Sequence, residues 1–229
     1  MQPLAKSPGA KALSFVHTPW QDKVNRIHGL LVRLKTIVYY RRIFAEIGRG
    51  SMLYKPLLLS GTPYVRIGAG TLIRQGARIE AILLDPERPP SIEIGNNVNI
   101  EQNVHIICTS RIWIGDNVTI TGNCSIIDTT HPFHDVDDPI KIGARIDPTP
   151  RPVNIDDGTF VGMGCVILPG VHIGRRCVVG SNSTVTRDIP DYCVCAGSPA
   201  RIQKRYHFGT KSWLRLEESL FPDASELNS

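Results

Sequence analysis

The chain has 229 residues, 41% hydrophobic residues and a formal net charge of +5, values typical of one soluble domain with a modest extension. It has no apolar run near the roughly eighteen residues that span a bilayer, and residues 1–15 lack the pattern of a secretory signal. We therefore expect a cytoplasmic protein that is neither exported nor membrane-spanning.

The positive charge is concentrated in the first fifty residues. They contain nine Lys or Arg and two acidic residues, a net charge of +7, whereas the remaining 179 residues have a net charge of −2. Nucleic acid is a poor candidate partner, because the later residues show no basic stripe and no recognised binding motif. We predict a basic extension over 1–50, a main domain over 51–205 and a tail over 206–229.

The extension contains one predicted amphipathic helix, Gln21 to Ile47, whose apolar residues recur at helical spacing. Arg26, Arg33 and Lys35 lie away from that stripe. Two roles remain open, a cap over the end of a repeat structure or a peripheral contact with anionic lipid headgroups or a lipid-linked saccharide. The stripe consists of Val24, Ile27, Leu31, Leu34, Val38 and Ala45.

The main domain repeats every six residues, and an aliphatic residue occupies the same position of each repeat. Gly or Asn often follows that residue, as a sharp corner with positive φ requires. The pattern predicts an all-β fold, a triangular parallel β-helix of five coils. A β-sandwich would instead alternate every two residues. The repeated positions are Ile67, Ile73, Ile79, Ile94, Ile100, Ile106, Ile114, Ile120, Ile126, Ile155, Val161, Ile167, Ile173, Val179 and Val185.

Three of the six cysteines, Cys124, Cys165 and Cys177, occupy an inward position of the repeat that otherwise holds small residues. We interpret them as buried small hydrophobic residues in a reducing compartment. No two cysteines are spaced as CxxC, so the sequence gives little support to a zinc site.

One long loop, residues 127–152, interrupts the repeat for about 26 residues. Loops of this length are uncommon unless they are functional or disordered, and insertions into solenoids often form the binding face. The loop contains THPFH, with His131 and His134, and five prolines that stiffen it.

Near the C-terminus of the chain, the segment KSWLRLEESLFP predicts a short helix with Trp213, Leu216 and Leu220 facing inward.

Together these motifs resemble the left-handed β-helix acetyltransferases, and within them the galactoside and maltose O-acetyltransferases. The resemblance covers about residues 65–205 and depends on THPFH, VNIDDGTFVGMGCVILPGVHIG, VVGSNSTVTRDIP and CAGSPARIQK, in that order. It implies a left-handed helix, a homotrimer with active sites between subunits, and acetyl-CoA as the acyl donor. The left hand would be an exception to the usual rule for parallel crossovers.

Carried onto this sequence, the resemblance implies that His131 is the general base and His134 a supporting residue. A sugar hydroxyl is a poor nucleophile, and an imidazole that titrates near neutral pH can take its proton. Asp128 is a candidate to orient His131, on proximity in sequence alone. The resemblance also implies donor contacts, some of them basic as suits a polyphosphate. These contacts fall on Met163, Ser181, Thr186, Arg187, Arg201 and Lys204.

Two departures from the family pattern limit these implications. Met163 replaces a small polar residue, so we expect its donor contact to be through the backbone. For Arg201 and Lys204, the alternative to a donor contact is that they belong to a solvated basic tail after the coils. Glu101 stands where the family has an acceptor-binding Asn, with Asn103 two residues later. The sequence therefore leaves the identity of the acceptor substrate undetermined.

The basic N-terminal helix is more similar to enzymes that modify O-antigen or capsular polysaccharide. We therefore predict an O-acetyltransferase of a surface-glycan sugar. The alternatives are an N-acetyltransferase of an amino sugar or antibiotic, and a non-enzymatic β-helical scaffold. A γ-type carbonic anhydrase would need three zinc-binding histidines. We predict that His105 and His172 lie on different sides of the repeat, and the interval from His131 to His134 does not fit that family's spacing.

Overall fold

The computed structural model describes residues 19–215; residues 1–18 and 216–229, which include Leu216 and Leu220 of the predicted C-terminal helix, lie outside the described part. A helical segment comes first and consists of helix α1 (Trp20–Lys35), a π-helical turn (Thr36–Tyr40) and the short helix α2 (Arg41–Ile43). In the described residues, no helix is both long and apolar enough to cross a bilayer. The rest of the chain winds into a stack of coils.

Three sheets form the faces of the stack, and each coil contributes one strand to each sheet in turn. Sheet 1 contains β1 (Glu46–Ile47), β4 (Val65–Ile67), β7 (Ser91–Ile94), β10 (Arg111–Ile114), β13 (Val153–Ile155) and β16 (His172–Ile173). Sheet 2 contains β2 (Met52–Leu53), β5 (Leu72–Ile73), β8 (Asn99–Ile100), β11 (Thr119–Ile120), β14 (Phe160–Val161), β17 (Val178–Val179), β19 (Cys193–Gly197), β20 (Ala200–His207) and β21 (Ser212–Arg215). Sheet 3 contains β3 (Leu58–Ser60), β6 (Arg78–Ala81), β9 (His105–Cys108), β12 (Ser125–Ile127), β15 (Val166–Ile167) and β18 (Thr184–Val185).

Successive coils pair in parallel, and the six-residue period becomes a ladder of buried aliphatic side chains. In sheet 1, Ile94 pairs with Ile114, Ile114 with Ile155, and Ile155 with Ile173. Each of these four side chains is at most 3% exposed. Each coil therefore covers the apolar interior of the next, which is how a solenoid builds its core. The predicted parallel coils are confirmed.

The corners between sheets contain residues with left-handed backbone geometry, several of them Asn. Asn97 has φ 54° and Asn117 has φ 58°, a conformation that Asn adopts more readily than most residues. The Asn97 amide donates a hydrogen bond of 2.8 Å to the Asn117 carbonyl oxygen one coil away. Stacked Asn side chains therefore join neighbouring corners.

The stack has six coils, one more than the five that the sequence predicted. The additional first coil is formed by β1, β2 and β3. Its apolar residues Ile47, Leu53 and Leu59 do follow the six-residue period. The sequence pattern does not reveal this coil, because Ile47 also fits the spacing of the predicted N-terminal helix.

The helical segment ends at Ile43 and does not reach Ile47 as predicted. The reason is strand pairing, since Glu46 and Ile47 pair with Arg66 and Ile67 at the edge of sheet 1. Hydrogen bonds to the neighbouring coil therefore replace those of a longer helix.

The C-terminal part of the helical segment caps the first coil. Tyr40 and Phe44 are 2% and 5% exposed and cover the end of the core. The Thr36 hydroxyl donates to the Val32 carbonyl (2.9 Å) and accepts the Leu53 N–H (3.1 Å). Because β2 is the edge strand of sheet 2, this bond satisfies a donor that would otherwise lack a strand partner. One of the two roles left open for the extension, the cap, is thus present.

The predicted C-terminal helix is wrong for its described part. Residues 212–215 form strand β21, antiparallel to β20. Trp213 lies opposite Tyr206, and the two rings make an edge contact with centroids 5.4 Å apart. Aromatic cross-strand pairs stabilise such hairpins, and this tertiary contact overrides the helical spacing.

Candidate active site

The long loop leaves the stack after β12 and returns at β13. Residues 128–152 contain no strand, only a short 3-10 turn at Ile142–Ala144. Most of the segment from His131 to Ala144 is exposed. The interruption therefore lies on the outside of the solenoid, as predicted for an insertion between coils.

Arg145 holds the loop together through its guanidinium group. Nε donates to the Ile140 carbonyl (2.6 Å), Nη1 to the Asp135 carbonyl (2.8 Å) and Nη2 to the Asp138 carbonyl (2.7 Å). Nε also lies 3.0 Å from the Asp138 carboxylate, and the Arg145 side chain is only 11% exposed. Because the planar guanidinium presents rigidly spaced donors, it joins three backbone carbonyls of an otherwise exposed loop.

His131 is attached to the same residue through the backbone. Its Nδ1 atom lies 2.7 Å from the Arg145 carbonyl oxygen. A carbonyl oxygen only accepts, so Nδ1 carries the proton of this bond and the neutral ring presents Nε2 as an acceptor. The imidazole is exposed. This is the tautomer that a general base needs, because Nε2 is free of a proton.

His134 contacts its neighbour in the loop. Its ring lies 4.5 Å from the Phe133 ring, centroid to centroid, in a tilted arrangement, and both residues are exposed. The geometry places His134 on the outer surface of the loop, with an apolar ring beside it.

Asp128 does not orient His131 by a direct hydrogen bond, contrary to our expectation. Its side chain is 1% exposed and accepts bonds from the Thr109 N–H (2.7 Å), the Ser110 N–H (2.7 Å) and the Ser110 hydroxyl (2.8 Å). Asp128 follows β12 and reaches the turn after β9 in the neighbouring coil. The carboxylate therefore satisfies that turn and fixes the base of the loop, while the Arg145 carbonyl is the partner of His131.

Replacement of Asp128 is expected to affect stability. We predict that Asp128→Ala lowers the free energy of unfolding by about 3 kcal/mol, because the partly buried N–H groups of Thr109 and Ser110 lose a charged acceptor. Asp128→Asn retains one acceptor oxygen and should cost less. Urea unfolding of both variants measures the difference. Unchanged unfolding of Asp128→Ala would contradict the role assigned here.

The candidate donor residues Thr186 and Arg187 share an edge of the solenoid with this loop. They follow β18, and β18, β15 and β12 are successive strands of sheet 3. Parallel strands end at the same edge, so two strand spacings, about 10 Å, separate the end of β18 from the base of the loop. Both side chains are exposed.

Met163 and Ser181 lie on a different edge, at the corners that follow β14 and β17 of sheet 2. The Met163 carbonyl accepts the Asn182 N–H at 2.7 Å, and the Met163 side chain is 53% exposed. Arg201 and Lys204 lie in β20, opposite Ala196 and Val194 of β19. Their backbone is therefore held in a paired strand, and the Arg201 side chain is exposed.

The candidate acceptor residues Glu101 and Asn103 follow β8, at the same edge as Met163 and Ser181. The Glu101 carboxylate lies 3.5 Å from Nε of Arg74. Asn103 has φ 57° and its amide donates to the Asn123 carbonyl oxygen at 3.2 Å. Asn103 therefore belongs to the stacked corner Asn residues.

The six cysteines, His105 and His172 take structural positions in the coils. All six cysteines are buried free thiols, and burial raises the pKa of Cys177 to about 11 and of Cys195 to about 12. His105 lies on sheet 3 and His172 on sheet 1, where its Nε2 is 3.0 Å from the Asp156 carboxylate. These two histidines thus lie on different faces, as predicted. Among residues 19–215, no three His, Cys, Asp or Glu side chains form a metal-binding group.

Arg145 was not predicted from the sequence. Its partners are backbone carbonyls five, seven and ten residues earlier in the loop, and any residue type supplies a carbonyl. Spacing and residue type therefore gave no signal for this cluster.

The bacterial transferase hexapeptide (six repeats) family model matches residues 152–187. A predicted acetyltransferase of Schizosaccharomyces pombe is 33% identical over 59% of this chain and 70% of its own length. The galactoside O-acetyltransferase of Escherichia coli is 34% identical over 52% of this chain and 59% of its own length. The predicted lipopolysaccharide biosynthesis O-acetyltransferase WbbJ of E. coli is 34% identical over 53% and 64%. The chain thus spans less than two thirds of the last two relatives.

A solved structure has a similar fold. It is a single-residue variant of AntD, an N-acyltransferase from Bacillus cereus, in complex with dTDP and coenzyme A. The TM-score is 0.60 at 18% identity, over 71% of this chain and 84% of that one. The coils, the family-model match and the S. pombe relative agree, and the chain belongs to the hexapeptide-repeat acetyltransferase family.

Proposed function

We propose that the chain is an acetyl-CoA-dependent O-acetyltransferase that acetylates a sugar hydroxyl in the synthesis of a surface polysaccharide such as O-antigen or capsule. The observation that carries the proposal is the exposed His131, whose Nδ1 atom is bonded to the Arg145 carbonyl. This bond leaves Nε2 as the acceptor on an outward loop. The names of the galactoside and lipopolysaccharide O-acetyltransferase relatives support a sugar hydroxyl as the acceptor.

His131 would act as base and then as acid. Nε2 takes the proton of the sugar hydroxyl as that oxygen bonds to the thioester carbonyl carbon. The tetrahedral intermediate then collapses, the carbon–sulfur bond breaks, and the coenzyme A sulfur takes the proton back from the imidazolium. The products are the acetyl ester and free coenzyme A, and the imidazole returns to its starting state.

The basic residues near two edges of the solenoid support coenzyme A as the carrier of the acetyl group. Arg187 follows sheet 3, while Arg201 and Lys204 project from β20. Guanidinium and ammonium groups bind phosphates by charge and by directed hydrogen bonds. The coenzyme A bound to AntD on a similar fold is consistent with this donor.

The distribution of candidate residues supports a homotrimer. His131, Thr186 and Arg187 follow sheet 3, whereas Glu101, Met163 and Ser181 follow sheet 2. One copy thus places these groups on two separate edges, and an adjacent copy would bring the second edge to the first.

We also infer left-handed coils, in keeping with the resemblance of the motifs. We further infer a cytoplasmic enzyme, because its six free thiols suit a reducing compartment.

The experiment that tests the function combines donor binding with acceptor screening. Acetyl-CoA titrated into the wild-type protein in a calorimeter should show micromolar-range binding. Release of coenzyme A thiol, followed with a chromogenic disulfide, should then depend on saccharides that offer hydroxyls. Turnover with amino-sugar amines alone would favour the N-acetyltransferase alternative. A protein that fails to bind acetyl-CoA would contradict the proposal and favour the scaffold alternative.

A further inference from the structure

Helix α1 exposes its apolar side and packs on the coils with its other side. Trp20, Ile27, Leu31 and Leu34 are 76%, 52%, 59% and 58% exposed. With Val24 they are spaced by four, three, four and three residues, so they form one stripe along the helix. We call these five residues the α1 stripe. It faces away from the solenoid.

The face of α1 that contacts the solenoid is the opposite one. Val32, 8% exposed, is the buried side chain of α1, and Gly29 on the same side is partly covered. The chain continues inward through Thr36 and Tyr40, which are buried. A surface helix normally turns its apolar stripe to the core. Here capping is done by other residues, and the α1 stripe is left without a partner among residues 19–215.

Positive charge accompanies the α1 stripe. Arg26, Arg33 and Lys35 are exposed on α1, and Asp22 is its single acidic residue. The Lys35 ammonium group lies 5.0 Å from the centroid of the Tyr40 ring. Exposed Arg42 follows in the short helix α2. An apolar stripe with a terminal Trp and flanking basic side chains is the composition of helices that lie in a lipid interface.

We propose that α1 docks on an anionic lipid surface, with the α1 stripe inserted among the acyl chains and the basic residues against the headgroups. A second copy of α1 is a poorer occupant of the stripe, because it would bring a second cluster of Arg and Lys close to the first. Anionic headgroups complement that charge, and each basic residue near such a surface strengthens binding several-fold.

Docking would also place the candidate active site close to the membrane. Helix α1 packs at the first coil, and three strand spacings in sheet 3 separate β3 from β12, where the His131 loop begins. That is about 14 Å along the stack. If the proposed function holds, this arrangement suits a saccharide on a lipid carrier as the acceptor. The docking itself does not depend on the function, because it is measured as binding.

The test is cosedimentation of the full chain with vesicles, one set of phosphatidylcholine alone and one with added phosphatidylglycerol. We expect at least about 10-fold tighter binding to the anionic vesicles, weakened by salt. Ile27→Ser with Leu31→Ser should reduce that binding by about 10-fold or more. The double variant Arg26→Gln with Arg33→Gln should reduce the affinity for anionic vesicles by about 25-fold, because each lost positive charge weakens binding by about fivefold.

A matched control variant is Leu83→Ser with Leu84→Ser, which changes two exposed apolar residues far from α1 in the chain. It should bind like the wild type. Circular dichroism and light scattering of every variant show whether fold and oligomeric state are retained. Equal binding to both vesicle types, or none, would overturn the proposal. So would stripe variants that change the oligomeric state and leave vesicle binding unaltered, since the stripe would then be a contact between subunits.

Discussion

Substitution His131→Ala is expected to lower kcat by about 10²- to 10⁴-fold, which corresponds to about 3 to 5 kcal/mol of activation free energy. The loss follows because no proton acceptor remains at the position of Nε2. The affinity for acetyl-CoA should stay within about threefold of the wild type, since the basic residues proposed to bind the donor are unchanged. Steady-state kinetics and calorimetric titration of the same preparation measure the two quantities.

The matched control for this variant is His134→Ala, at an exposed position later in the same loop. This variant removes an imidazole that contacts Phe133. Unlike His131, whose Nδ1 is bonded to the Arg145 carbonyl, the His134 ring has no such bond to a backbone carbonyl of residues 19–215. We expect a smaller decrease in kcat than for His131→Ala. A fully active His131→Ala enzyme would show that the loop histidine takes no part in proton transfer. Acetyl-CoA binding that persists in that case would still support the donor site.

Substitution Arg145→Met is expected to lower kcat by about 10- to 100-fold with a smaller change in the KM for the acceptor. Met has a similar length but no donors, so the three loop carbonyls and the Asp138 carboxylate lose their shared partner. The Arg145 carbonyl then no longer holds a fixed position for His131. Misplacement of a catalytic group by about 1 Å can cost 10²-fold in rate. This result would identify Arg145 as a positioning residue.

Two measurements separate this positioning effect from a general loss of stability. Limited proteolysis should cut the loop of Arg145→Met faster than that of the wild type, while the urea midpoint of the whole solenoid changes little. Arg151→Met is the control, because it removes an equal charge from the same loop but only a 3.5 Å contact with Asp147. Wild-type turnover in Arg145→Met would rule out the positioning role.

The sequence predicted the solenoid correctly because the signal is local and repeated. An aliphatic residue every sixth position, followed by Gly or Asn, specifies a strand and a corner in every unit, and each coil buries the next. The same regularity made the His131 loop recognisable as an interruption. The donor and acceptor assignments came from family motifs, and they stay predictions.

The errors concern residues whose partners lie on another strand. Ile47 fits both a helix and a hexapeptide, and pairing with Ile67 one coil later decides for the strand. Trp213 fits a helical stripe, but Tyr206 across a hairpin makes it part of β21. Local spacing does not contain these partners, since hydrogen bonds and aromatic contacts form only after the chain has folded.

By itself, the sequence thus determined five of the six coils, their core and the place of the candidate catalytic loop, because each depends on a repeated pattern or its interruption. Only the tertiary structure decided that Asp128 satisfies the Thr109–Ser110 turn, that Arg145 holds His131, and that the α1 stripe faces outward. The physical reason is that these arrangements depend on backbone carbonyls, N–H groups and the direction of a helix face. Every residue carries a backbone carbonyl, and all but proline carry an N–H, so residue type does not reveal which of them will meet.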